Sequence, residues 1–547
     1  MADWEYPASL DPIHATTAAE LRVASLLFSP LWGSDPDLAA YPDLAREVPS
    51  LDNGGIRPGR DGVSMAVRVK LVPGLHWSDG APITADDVIF TVNAICSRTQ
   101  PGRDTAGFDH IASQERRSDT EVVWHFGPRT RGSCGLDVDL ASGVYPAVEL
   151  LGPRLRLLPS HLLAAIPDSS WPALPFFMHP EASSGPFTFR SAVGRQLIDF
   201  AANPHYADGR TTPGVYGRAR PRFDHAPRLQ GLTYRFFNGR AAEVAALQNA
   251  EADLGFHLLP ADVAELSRLA TAQTLISPTL QGEYLNPNHG ANTATGVNPP
   301  WVDDGPVLRA LEQAIDRQAL NTAAFNGTAT ISTGLFPAVM KAYAPPQPHP
   351  PSRSLDEARR ALDGDGWRAG VDGVRSKNGR RLEFSLLAPC DSAPRVAEQA
   401  ELVRQWAELG ARAKPACGAR ASFFGSINPA GAFDMSLYSN TWSPDPSAWA
   451  PFAVSIQVPS ALNPSGRNWN RCNDARLDEE LARGGTSLDP ATRHRAYVAA
   501  AAEWLAYGCT IPLLEWPSVV QRSNRLRNFL PNASWSLDTW NAADWGL

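Results

Sequence analysis

Residues 71–95 read LVPGLHWSDGAPITADDVIFTVNAI, and they decide the fold because three element signals follow one another without a gap. Just upstream, VSMAVRVKL (63–71) puts Val63, Met65, Val67, Val69 and Leu71 on one side and Ala66, Arg68 and Lys70 on the other. That two-residue period belongs to a half-buried strand. Asp79-Gly80 marks a turn. Thr84 then stands where an N-cap belongs, with Asp87 three residues on to complete a capping box at the positive end of the helix dipole. Val88, Ile89, Val92 and Ile95 follow as the buried stripe. Each of these side chains has a structural task, so none is needed for catalysis.

The same two periods recur further along. Residues 306–321 carry Val307, Leu308, Leu311, Ile315 and Leu320 at helical spacing. Residues 382–388 predict a strand, 393–409 a helix ended by Gly410, and 411–417 a parallel strand, together a βαβ unit. A strand at 433–438, helices at 474–483 and 490–507 flanking Gly484-Gly485, and a strand at 511–520 follow. The fold class is therefore α/β. At 547 residues the chain exceeds what one hydrophobic core supports, so two or three lobes are expected. The 48 prolines and 42 glycines are spread along the chain, as turns within packed domains would be.

A net charge of -8 argues against nucleic acid or an anionic membrane surface as a partner. No apolar run is long enough to cross a bilayer. The chain opens MADWEYPASLDP, without a basic and then apolar leader, so the expectation is either a processed form or a start placed downstream of the real one. Six cysteines, Cys96, Cys134, Cys390, Cys417, Cys472 and Cys509, form no C-x-x-C pair and have no histidine at metal-ligand spacing. Disulfides in an oxidising compartment are one reading, buried free thiols the other. Under the first, Cys390 and Cys417 would lie at matching ends of neighbouring parallel strands. Cys472 and Cys509 would bracket an antiparallel helix pair, and Cys96–Cys134 completes the set.

Signatures of catalysis are missing: no G-x-S-x-G, Walker A, G-x-G-x-x-G or H-E-x-x-H occurs. Asp363-Gly364-Asp365-Gly366 starts like a calcium loop, but Val374 stands where the bidentate Glu belongs, so it reads as a turn. No metal and no cofactor is expected. Sixteen tryptophans offer stacking surface for a ligand, although most should be core.

The stretch 71–95, with W-S-D-G followed by T-A-D-D-V-x-F, resembles the family 5 solute-binding proteins of ABC importers. Further motifs follow in the same order: Ser9-Leu10-Asp11-Pro12, Ser184-Gly185-Pro186-Phe187, Asn203-Pro204-x-Tyr206, Ala252-Asp253, the helix from Leu311 to Leu320, Phe433-Asp434, Asp445-Pro446, Asn473-Asp474-x-x-Leu477-Asp478 and Ile511-Pro512-Leu513. The resemblance implies a periplasmic binding protein-like fold of type II, with two hinged lobes and an extra domain. Lobe I would take 1–40, 152–260 and 516–547, the extra domain 41–151, and lobe III 261–515. It further implies a binding protein and not an enzyme. Such a protein works outside the cytoplasm, in the periplasm or lipid-anchored on the outer face of the cytoplasmic membrane. It is a monomer that closes on a peptide or related solute and delivers it to a membrane permease.

For the site, the resemblance points to backbone-holding segments at Thr16, Thr17 and Ala18 and at Tyr438, Ser439, Asn440, Thr441 and Trp442, with Tyr284 to Asn286 facing the cleft. Peptide binders of the family carry an Asp for the ligand's α-amino group where this chain has Trp442, and Asp445 is the nearest carboxylate. Trp442 reads either as a stacking platform, which would suit an oligosaccharide, or as packing. A secreted hydrolase is the reading from a different class.

Overall fold

A computed structural model describes residues 1–97, 99, 105–127, 144–210, 224–345, 352–534 and 537–547. The chain divides into two compact units, Met1–Ser277 with Ser518–Leu547, and Pro278–Pro517.

In the first unit, a sheet orders its strands Leu254–Leu258, Ala2–Asp3, Gly231–Phe236, Leu197–Ala202 and Phe187–Val193. Ala2–Asp3 runs parallel to both of its neighbours, and the last residues of the strand Ile511–Ser523 pair antiparallel with Leu254–Leu258. Ala2, Val244, Leu247, Leu258, Leu266 and Val519 form a core beside it. A separate antiparallel sheet orders Ile56–Pro58, Met65–Lys70, Glu121–Phe126 and Ile111–Ser118. Met65–Lys70 alternates buried and half-buried residues, as its period requires.

The stretch that decided the fold behaves as read. The helix Ala85–Ile95 has Thr84 as N-cap, and Thr84 N–H donates back to Asp87 Oδ2 at 2.8 Å. Asp87 is a hub, since its other oxygen accepts from Ser160 N–H at 2.9 Å and Ser160 Oγ at 2.7 Å. The motifs also hold one another. Ser78 N–H donates to Ser183 O at 2.9 Å, Ser183 N–H returns a bond to Ser78 Oγ at 2.9 Å, and Asn203 Nδ2 donates to Gly185 O at 2.8 Å. Gly185 must be glycine, because a Cβ there would lie 2.5 Å from Leu26 O. W-S-D-G, S-G-P-F and N-P-x-Y are thus parts of one structural joint.

In the second unit, strands β1 (Ala272–Pro287), β2 (Glu383–Pro389), β3 (Arg412–Gly418), β4 (Met435–Thr441) and β5 (Ile511–Ser523) order as β3-β2-β4-β1-β5. Helix α1 (Ala393–Leu409) ends on Gly410 at φ 88°, and β2 and β3 are parallel, which is the expected βαβ unit. Trp301, Trp367, Trp406, Leu311 and Leu513 belong to its core.

Two expectations need correction. Residues 306–321 are two helices, Pro306–Gln313 and Arg317–Phe325, because Asp316 caps the second by accepting from Ala319 N–H at 2.9 Å. Gly484-Gly485 does not separate helices but lies inside Ala475–Thr486, and the break falls at Ser487 to Asp489 before Pro490–Tyr507.

Two expected disulfides are present. Cys390–Cys417 joins the matching ends of β2 and β3 with Cα atoms 5.4 Å apart, and Cys472–Cys509 brackets the helix pair at 5.9 Å. Cys134, the expected partner of Cys96, lies outside the described residues.

Candidate ligand-binding site

Strand β4 carries the central candidates, Tyr438 to Thr441. Its antiparallel register with β1 sets Thr441 opposite Gln281, Ser439 opposite Glu283 and Tyr438 opposite Tyr284. Trp442 N–H donates to Leu280 O at 2.7 Å. The even-numbered residues here therefore turn their backbone groups toward β1, and Ser439 and Thr441 turn theirs to the opposite edge. On that edge β2 pairs only at Met435 and Ser436. Continued in register it would bring Pro389 opposite Tyr438, and Pro389 has no N–H to give. The N–H and C=O of Ser439 and Thr441 thus form a half-edge with no strand beside it among the described residues.

Below that edge lies a charged cluster. Arg395, in the first turn of α1, donates from Nε and Nη2 to the two oxygens of Glu283 at 2.9 and 3.2 Å, and from Nη2 to Ser439 Oγ at 2.6 Å. Trp516 Nε1 also donates to Glu283, and Gln281 Nε2 to Ser439 Oγ at 2.8 Å. Glu398, one turn along α1, is fully buried with no hydrogen-bond partner on either oxygen among the described residues. Burial first, and then the Glu283 charge, hold its carboxyl well above the usual carboxylate range, against the opposing pull of Arg395.

The other face of β4 is aromatic core. Trp442 is 7% exposed, and its ring meets Phe336 at 4.8 Å, Trp449 at 6.0 Å and Tyr284 at 6.4 Å, all edge to face. Its Nε1 donates to Tyr284 Oη at 2.8 Å, and Tyr284 Oη donates on to Leu335 O at 2.7 Å. The indole is not an open stacking platform, because both faces of its environment and its one polar atom are taken. Asp445 does not stand in for the missing carboxylate either. Its oxygens accept from Arg493 Nη1 and Nη2 at 2.7 and 2.8 Å and from Ser447 N–H at 2.8 Å, so it pairs a buried arginine and caps Pro446–Trp449.

Tyr284 and Asn286 are each 1% exposed and do not face solvent. Asn286 Oδ1 accepts from Asn470 Nδ2 at 3.2 Å and Thr510 Oγ1 at 3.1 Å. Tyr438 packs against Phe423 and Phe424. Asn440 is half-buried and Thr441 exposed.

In the first unit, Thr17 is the N-cap of the helix Ala18–Leu27, and Ala18 is its first residue. Glu20 Oε2 accepts from the N–H groups of Thr16 and Thr17 at 2.9 and 3.0 Å. These two amides serve a capping box that Thr17-x-x-Glu20 already spelled out.

One group of possible metal ligands converges among the described residues: His289, Cys472 and Cys509. Its sulfurs are bonded to each other, and the His289 ring meets Gly508 O at 3.0 Å. Asp363 and Asp365 pair with Arg375 and Lys377 at 2.6 and 2.9 Å, as turn residues.

The profile of the bacterial extracellular solute-binding proteins, family 5 Middle, matches residues 63–456. The oligopeptide-binding protein AppA of Bacillus subtilis is 24% identical over 393 residues, 70% of this chain and 61% of AppA's own length, so the match leaves over a third of that relative uncovered. Among solved structures, AppA from B. subtilis in complex with a nonapeptide aligns with a TM-score of 0.69 at 19% identity, covering 100% of this chain and 98% of that one. NikA from Brucella suis in complex with Fe(III)-EDTA aligns at 0.76 and 18%, covering 100% and 99%. The architecture is that of these binding proteins, and the profile spans well over half of the sequence. The chain belongs to the bacterial extracellular solute-binding proteins of family 5.

Proposed function

We propose that this chain is the extracytoplasmic substrate-binding component of an ABC importer and that it captures a peptide through the peptide's main chain. The observation that carries this is the half-edge at Ser439 and Thr441, which offers backbone donors and acceptors to an added strand. AppA is a relative described as oligopeptide-binding, which supports the same ligand class. The protein delivers its ligand as a monomer to a membrane permease, works on the outer face of the membrane or in the periplasm, and carries out no reaction. Its lobe layout follows the family pattern, with the region around W-S-D-G as the extra domain.

With Trp442 in the core and Asp445 paired to Arg493, no carboxylate at that position is left for a peptide's α-amino group. The peptide is therefore held along its length and not by its N-terminus. Native mass spectrometry of freshly purified protein, followed by calorimetry with free and N-acetylated peptides, tests this. Retained peptides, and affinities that differ less than tenfold on acetylation, are expected. Binding of oligosaccharides without any peptide binding would overturn it, as would loss of affinity by orders of magnitude on acetylation.

A further inference from the structure

His289, Cys472 and Cys509 come from three segments of the second unit, and their donor atoms fall within 4.8 Å of one another. The Cys390–Cys417 bond has no third ligand of this kind beside it among the described residues. The scaffold around the first group does not depend on its sulfur–sulfur bond. Asn468, fully buried, accepts from Cys472 N–H at 3.3 Å and donates from Nδ2 to Cys472 O at 2.8 Å. His289 N–H donates to Asn470 O at 2.9 Å, and Asn470 Nδ2 donates to Cys509 O. Cys509 N–H donates to Trp504 O at 3.1 Å. All three backbones are thus held by hydrogen bonds that remain when the disulfide opens.

The imidazole is oriented as well. Its Nε2 lies 3.0 Å from Gly508 O, a group that can only accept, so Nε2 carries the proton and Nδ1 keeps a lone pair. The Tyr507 ring packs against it at 5.0 Å. A ligating histidine takes its tautomer and orientation from such a bond through its other nitrogen. Both cysteines are fully buried, and half-buried His289 is the most exposed member of the group. Two thiolates and an imidazole make a zinc donor set, with the fourth position left to water.

We propose that Cys472 and Cys509 form a redox-gated metal site, closed as a disulfide when oxidised and holding one Zn2+ together with His289 when reduced. A small dithiol supplies the two electrons and closes to its own disulfide, leaving two thiols on the protein. Zinc binding then displaces both thiol protons to water, and the metal takes over the link between the two ends of the helix pair. Neither state involves the solute the protein carries.

The test uses the full chain, folded and anaerobic, treated with excess dithiothreitol and then freed of it. Alkylation and mass spectrometry should find Cys472 and Cys509 as thiols. Titration with Zn2+ against a chromophoric chelator should reveal a tight site that the oxidised protein lacks, and Co2+ should take it with the absorption of thiolate coordination. The reduced protein should melt several degrees higher with Zn2+ than without. Cys390→Ser with Cys417→Ser should leave the site intact, whereas His289→Gln should weaken it by more than about tenfold, the least that even an outer partner of a metal ligand is worth. A Cys472–Cys509 bond that resists dithiothreitol in the folded chain overturns the proposal. Equal Zn2+ binding by the oxidised and reduced protein, or by wild type and His289→Gln, overturns it as well.

Discussion

Among the buried arginine–carboxylate pairs of the second unit, two are bidentate, and they differ in what surrounds them. Asp445–Arg493 is closed. Its carboxylate accepts from both Arg493 nitrogens and from Ser447 N–H, and Arg493 Nε donates to Gly484 O at 3.0 Å. Glu283–Arg395 has equally good geometry, but a second carboxyl, Glu398, lies buried beside it without a hydrogen bond among the described residues. The first pair is a structural clasp with its charges balanced. The second has one acidic group more, and burial together with the Glu283 charge favours the protonated form of Glu398. A bidentate pair is therefore not a functional signal in itself. What matters is the count of charges enclosed with it.

The comparison can be broken most sharply at Asp445. Asp445→Ala leaves the Arg493 guanidinium buried, charged and unable to deprotonate, and removes a cap as well. A loss of about 4–5 kcal/mol in urea unfolding is expected, of similar size at pH 5 and pH 8. Arg395→Met leaves carboxyls instead, and these can take up protons. The expected loss is about 3 kcal/mol at pH 8 and clearly less at pH 5. Equal pH behaviour of the two variants would remove the distinction between the pairs.

Glu398→Gln isolates the extra acid. A carboxyl raised above its unfolded value contributes stability that is fully present below about pH 4.5 and is lost as pH rises through the folded value. The melting temperature of the wild type should therefore fall from about pH 4.5 upward, and the variant should show a shallower slope. Part of the slope will remain, because burial also raises Glu515 to about 7 and Glu243 to about 8. An unchanged slope in Glu398→Gln would show that Glu398 does not hold the proton. The smallest effect is expected from Trp442→Phe, which keeps an aromatic ring and removes the bond to Tyr284 Oη. About 1 kcal/mol should be lost, with peptide affinity unchanged in calorimetry. A large drop in affinity would return Trp442 to the ligand.

Local chemistry was readable from the sequence wherever cause and effect lie within a few residues. Thr84 and Asp87 cap the expected helix and Gly410 ends α1, while the cysteines at the ends of β2 and β3, 27 positions apart, are joined across a βαβ unit that was itself readable. Asp316 was readable too, as an N-cap inside an apparently continuous helical pattern, but the hydrophobic spacing masked it. The site was far less legible. Glu283 and Arg395 are 112 positions apart, and Asp445 and Arg493 are 48 apart, so no local pattern links them. Trp442 shows a second limit. A tryptophan is equally suited to a core and to a binding surface, and only its neighbours Phe336, Trp449 and Tyr284 decide between them.

The half-edge of β4 has a consequence for the empty protein. Unpaired strand edges invite the edges of other molecules, and long ones seed aggregation. Here the exposure is confined to Ser439 and Thr441, with Pro389 ending the ladder on one side and Pro444 following the strand on the other. Two residues are too few to template a second copy of the sheet. The brevity of the edge limits how far one copy of the chain can pair with another when nothing covers it.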